Sequence, residues 1–184
     1  MKRLFGLLAI GPLLTGLLLV GCASNATTQP APLHLQSRTE NGSDWTLDEL
    51  SIDQAPPAVR ATLREVLGDH PLRTLHRETV DNNSTYEAEY DADGIDHAVL
   101  LSEDGTVVAT SYDIQPEALP QAVRAALWDR YPKGDLREVQ SVQAGAQNYF
   151  IAQVAEGEVI HKVKVTPAGV TQEVASWLES SPKK

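Results

Sequence analysis

The chain has 184 residues, 42% of them hydrophobic, and a formal net charge of −10. Acidity on this scale argues against nucleic acid and anionic lipid as direct partners. The single cysteine, Cys22, excludes an internal disulfide and a cysteine-based zinc cluster, so the fold must hold by burial.

At the start, Lys2 and Arg3 precede an apolar run from Leu4 to Val20 that ends at the small residue Gly21. Charged, apolar and small parts in that order read as a secretory leader over residues 1–21. The stretch Leu19-Val20-Gly21-Cys22 resembles the lipobox of bacterial lipoproteins. That resemblance implies cleavage before Cys22, a diacylated thiol and a further acyl chain such as palmitate on the new amine. Several acyl chains hold a protein on a membrane surface where one binds only marginally. Ala23 stands where an Asp directs lipoproteins to the inner membrane, which implies the periplasmic face of the outer membrane. Loss of Lys2 and Arg3 takes the remaining 163 residues to a formal charge of −12. Residues 22–44 are rich in Ser, Thr, Asn, Pro and Gln and carry no sustained apolar period, so they are expected to be a lipidated, flexible tether.

Beyond the tether the chain repeats itself. "PPAVRATL" from Pro56 returns as "PQAVRAAL" from Pro120, and a shift of 64 aligns eight identities in the twenty positions from Pro56 to Leu75. Leu72-Arg73 recurs as Leu136-Arg137, His97 as His161 and Gly105 as Gly169. Fixed self-similarity of this length marks a duplicated unit, here residues 45–114 and 115–184. Each unit opens with a predicted helix, Gln54 to Leu67 and Glu117 to Tyr131. Val59, Leu63, Val66 and Leu67 share one face of the first, and Leu119, Val123, Leu127 and Tyr131 one face of the second. Four extended stretches follow each helix, the first set within Leu72 to Ile114 and the second within Asp135 to Trp177. Asn82-Asn83, Asp93-Gly94, Asp104-Gly105, Gly145, Gly157 and Ala168-Gly169 punctuate them as hairpins. The pattern predicts an α+β fold of two tandem repeats, each one helix followed by a four-stranded antiparallel sheet.

The proline-led helices, Tyr131-Pro132, Tyr149, Gly157 and Gly169 resemble the PepSY-like domains of periplasmic proteins. The resemblance spans about Leu50 to Leu178 and extends to the fold of the β-lactamase inhibitor protein. It implies a non-enzymatic binding or inhibitory module for an envelope protein or peptide, with no cofactor and no catalytic residue.

Candidate site residues follow from exposure and from the repeat. Tyr112, Trp128 and Tyr149 are the aromatics expected to touch a partner, Trp128 because it replaces Arg64 of the first unit. His97 and His161 fall at the same point of the third strand in each unit. They support an alternative reading as a small-ligand, metal or pH sensor, although no third ligand is repeated beside either. Glu89 to Gly94 resembles half a calcium loop, but Leu100 stands where the bidentate acid belongs, which leaves an acidic hairpin turn. No Gly-x-Ser-x-Gly turn or paired His and Asp marks a hydrolase.

Overall fold

The computed structural model describes residues 33–40 and 43–178. The leader, Cys22 and most of the expected tether lie outside the described residues. Proline sets where each helix begins: Pro56 and Pro120 both hold φ −54 with extended ψ of 149 and 145. A residue fixed in that conformation caps a helix but does not join it. The helices therefore start one residue later, α1 over Pro57–Leu67 and α2 over Gln121–Arg130. Short 3₁₀ turns, Ile52–Gln54 and Pro116–Ala118, precede the helices and overlap the starts of the longer predicted spans.

The strands are β1 (Leu33–Glu40), β2 (Ser43–Glu49), β3 (Leu72–Val80), β4 (Asn83–Ala92) and β5 (Ile95–Ser102). The other five are β6 (Val107–Asp113), β7 (Asp135–Ala144), β8 (Gln147–Glu156), β9 (Val159–Val165) and β10 (Thr171–Leu178). They form one antiparallel sheet of ten strands in sequence order. This corrects the expected fold class. The chain is mainly β, and the strands after the two helices do not make two separate four-stranded sheets. β6 hydrogen-bonds to β7 from Thr110–Gln143 to Asp113–Gln140, so the sheet passes without a break beneath both helices. Two separate sheets would leave those edges as rows of unpaired N–H and C=O groups, which pairing satisfies. The expected tether is corrected too, since residues 33–40 and 43–44 belong to a β1–β2 hairpin that joins β3.

Both helices lie on one face of the sheet. Under α1, Val59, Leu63 and Leu67 pack with Leu75, Tyr86, Ala88, Val99 and Leu101. Under α2, Val123, Leu127 and Tyr131 pack with Val139, Ala152, Val154, Val163 and Val165. Each fully buried Leu or Val contributes about 1.5–3 kcal/mol by leaving water. The shared Ala and Gly of the two sequence copies have a steric use. A Cβ on Gly105 would stand 2.7 Å from the Ala58 carbonyl oxygen, and one on Gly169 would stand 2.9 Å from that of Ala122. Both turns thus press against the first turn of a helix. The shared arginines tie each helix to the 3₁₀ turn before it: Arg60 donates to the Asp53 carbonyl at 2.8 Å, and Arg124 to that of Glu117 at 3.2 Å.

Register shifts between Leu72 and Thr74 and between Leu136 and Glu138 identify the shared Leu-Arg pairs as β-bulges. Further shifts fall between Leu100 and Leu101 and between Glu173 and Ala175. Bulges raise local twist and bend the bulged strand, so several along one sheet supply curvature.

Candidate functional site: the helix-free face of the sheet

Register assigns each side chain to a face, because residues directly opposite across an antiparallel ladder point the same way. Val99 and Leu101 face the helices, so Ala98 and Leu100 face away, and with them Ala109, Ser111, Gln140, Val142, Tyr149, Lys162 and Lys164. Glu87 and Glu89 on β4 join this set opposite Leu100 and Ala98.

No helix among the described residues covers this second face, yet it is not open to water. Leu47, Ala98, Leu100, Ser111, Gln140, Val142, Ile160 and Lys162 are all buried. A flat antiparallel sheet covered on one side leaves its other side solvated. Charge interactions give the reason. On a flat sheet Glu87 on β4 and Lys162 on β9 would be five strand spacings apart, about 24 Å, well beyond the screening distance of about 8–10 Å. They nevertheless act on one another, and Lys162 also feels Glu78 on β3 and Glu138 on β7. The sheet is therefore curled, with its helix-free face inward and the helices outside.

The concave face of the curl forms a cleft filled largely by its own side chains, apolar along the walls and charged at the floor. Burial pushes the Glu87 carboxyl well above the usual range, helped by Glu89 and Glu78 and opposed by Lys162. Burial also pulls Lys162 down, against the attraction of Glu87, Glu138 and Glu78. For both groups desolvation outweighs pairing, as expected of charges held in a narrow, poorly hydrated space. Around them Thr74 donates to Glu89 at 3.0 Å and Gln153 to Glu138 at 2.7 Å. Gln140 donates to Asp113 at 3.1 Å, and the Lys164 ammonium sits 4.0 Å over the Tyr149 ring, a cation–π contact.

The three expected contact aromatics do not share a surface. Tyr112 stands opposite His97 and Ser141 on the helix side and is 44% exposed. Tyr149 stands opposite Val142 in the cleft and is only 8% exposed. Trp128, on α2, is 48% exposed. A partner on one sheet face meets Tyr112 or Tyr149, not both.

The two histidines are also parted. His97 stacks between Tyr90 and Tyr112, with ring centroids 5.3 and 5.7 Å away, and His70 extends the row to Tyr90 at 6.2 Å. His161 packs 4.9 Å from the Tyr131 ring, and its Nδ1 lies 3.3 Å from Glu173 Oε2 but outside hydrogen-bonding alignment. Tyr131 donates to the same carboxylate at 2.8 Å and accepts from Arg130 at 3.0 Å. That Tyr131 hydrogen bond, ahead of the His161 contact, holds the Glu173 carboxyl below its usual range. β5 and β9 are four strands apart, about 19 Å along the sheet, and both histidines point to the outer, helix-bearing face. They cannot hold one ion between them, and among the described residues no three His, Cys, Asp or Glu converge as metal ligands. Asp91, in the acidic hairpin, accepts from the Gly94 backbone at 3.1 Å as a turn residue.

The cleft cluster itself was not legible. Glu87 and Glu89 alternate with Tyr86 and Ala88, and Lys162 and Lys164 with Val163 and Val165. Such alternation reads as a solvated outer face until the curl is known.

No family model matches the chain, and no curated protein matches it. Solved structures share its fold. A proposed periplasmic protein from Bacteroides eggerthii superposes with a TM-score of 0.54 at 21% identity, covering 65% of this chain and 89% of that one. A DUF2874 family protein from Bacteroides uniformis gives 0.54 at 20% identity, covering 67% and 89%. A BLIP-like protein from Bacteroides fragilis reaches 0.49 at 17% identity over 65% and 86%, too loose to carry an argument. The chain thus shares with the first two their overall fold.

Proposed function

We propose that this chain is a non-enzymatic binding module, lipid-anchored through Cys22 at the periplasmic face of the outer membrane. It takes an envelope protein or peptide into the cleft on the helix-free side of its sheet. The leader, the lipobox-like Leu19 to Cys22 and Ala23 support the location. The PepSY-like resemblance supports binding over turnover. The observation that carries the reading is the curl itself: a sheet folded around a lining of Leu100, Val142, Tyr149, Gln140, Lys162 and Glu87, with no helix among the described residues over it. Concave surfaces with apolar walls and a few converging polar groups are where proteins take ligands.

Amine-reactive crosslinking in whole cells, followed by mass spectrometry, tests this. The expected result is one specific envelope protein joined through Lys164, inside the cleft. Recovery of no specific partner, or crosslinks confined to Lys133 at the exposed exit of α2, would contradict it.

A further inference from the structure

We infer that the outer edge of β10 pairs, antiparallel and about a two-fold axis, with β10 of a second copy of this chain. β10 stands last in the sheet, and among the described residues no strand pairs with its outer edge. In the sequence repeat it corresponds to β6, at the shift of 64 that carries Val107 to Thr171 and Ile114 to Leu178. β6 uses that same edge to hold β7, from Thr110 to Asp113. On β10 the edge is left open and is not blunted. The strand reads TQEVASWL, without lysine or proline, and Val170 before it, Trp177 and Leu178 are 66%, 43% and 72% exposed. Long edges with exposed apolar side chains are templates for pairing with another chain.

The face pattern of β10 selects a copy of itself. Thr171, Glu173, Ser176 and Leu178 stand opposite Val165, Val163, His161 and Val159 on the helix-bearing face. Gln172, Ala175 and Trp177 stand opposite Lys164, Lys162 and Ile160 on the other face. The alternation changes sense at the bulge, where Val174 is the extra residue, so the faces run in the same order from either end. Laid antiparallel, Thr171 meets Leu178 of the second copy, Gln172 meets Trp177 and Glu173 meets Ser176, each pair sharing one face. The axis passes between Val174 and Ala175. A bulge sets two residues against one of an unbulged strand; a second β10 carries the same extra residue, so this ladder stays one to one. Charge permits the pairing as well. Glu173 is the one charged residue of β10, and Arg130 at 3.6 Å and the Tyr131 hydrogen bond offset it. The two Glu173 carboxylates stand three residues, about 10 Å, apart along the ladder. A two-fold contact closes on itself, so the assembly stops at a dimer.

The test coexpresses two full-length copies with different tags, one carrying Thr171→Cys and the other Leu178→Cys, under mild oxidation. Directly opposed residues in an antiparallel ladder have Cα atoms about 4.5–5.5 Å apart, within disulfide reach. The mixed disulfide is expected to exceed either same-residue disulfide at least tenfold, because equal positions lie seven residues, about 24 Å, apart in this register. No mixed disulfide, or all three pairings in equal amount, would overturn the inference. Sedimentation of the full chain in detergent checks it without cysteine. A dimer is expected, and Leu178→Lys is expected to weaken it at least tenfold with an unchanged far-ultraviolet circular dichroism spectrum. A chain that sediments as a monomer at every concentration, or a photoreactive probe at Leu178 that captures a different protein in place of a second copy, would also overturn it. Neither result bears on the binding function proposed above, which lies on the face of the sheet and not at this edge.

Discussion

Replacing Lys162 with methionine is expected to cost about 3 kcal/mol of stability at pH 8 and little at pH 5, because breaking a buried ion pair strands the partner's charge. Lys162 is 8% exposed, and the carboxylates it faces are Glu87 and Glu78 across the cleft and Glu138 on β7. His76 on β3 stands directly beside Glu87 in register, and Glu89 lies one pleat along β4. Glu87 already holds its proton to higher pH when folded than an ordinary glutamate near 4.3 does. The folded state therefore binds more protons than the unfolded one across that window, so stability is full at low pH and falls as pH rises through the raised value. Losing Lys162 raises the Glu87 value further and steepens that fall. Lys162 itself is depressed by burial, against the attraction of Glu87, Glu138 and Glu78. Urea titrations at pH 5 and pH 8 read the difference directly. Lys162→Met with Glu87→Gln is expected to be flat over the same range, and a single variant equally stable at both pH values would show that the two groups do not share a cleft.

Gly105→Ala is expected to destabilise the fold by about 3 kcal/mol, combining left-handed backbone strain with overpacking. Its φ is +81, and the new Cβ would meet the backbone of Ala58 at 2.7–2.8 Å, where little can yield. Thr62 adds a hydrogen bond to the Gly105 carbonyl at 2.8 Å, tying α1 to the turn. Gly94→Ala is the control: its φ is +78, but nothing lies within 4 Å of the added carbon. It should cost only the backbone strain, about 1 kcal/mol. Urea midpoints of the two variants decide the matter, and equal losses would mean that α1 does not press on the β5–β6 turn.

These two sites also show what the sequence could and could not convey. The apolar periods of Val59 to Leu67 and Val123 to Leu127 place the helices because a helix face is a local pattern. Strand limits are similarly local, and Ile95–Ser102 begins and ends where alternation says. The shared Arg60 and Arg124, read from sequence as stems covering a core, hold the carbonyls of the preceding turns. Sheet continuity is different, since β6 meets β7 across the whole second helix and nothing in either strand names its neighbour. The early hairpin was hidden by composition: "LHLQSRTE" carries too few apolar residues to read as a strand, and its pairing with β2 lies in the backbone. The cleft was least legible of all. It depends on curvature accumulated over bulges at Leu72, Leu100 and Leu136, which turns an apparently solvated face with Glu87 and Lys162 into an interior.

That interior is the central claim, and placing a photoreactive amino acid at one position at a time in whole cells tests it most directly. With the probe at Ile151, opposite Gln140 and Lys164 on the cleft side of β8, irradiation is expected to yield one specific adduct. With the probe at Tyr112 or Trp128 on the helix-bearing side, it is expected to yield none. Adducts from Tyr112 or Trp128 together with silence at Ile151 would contradict the account.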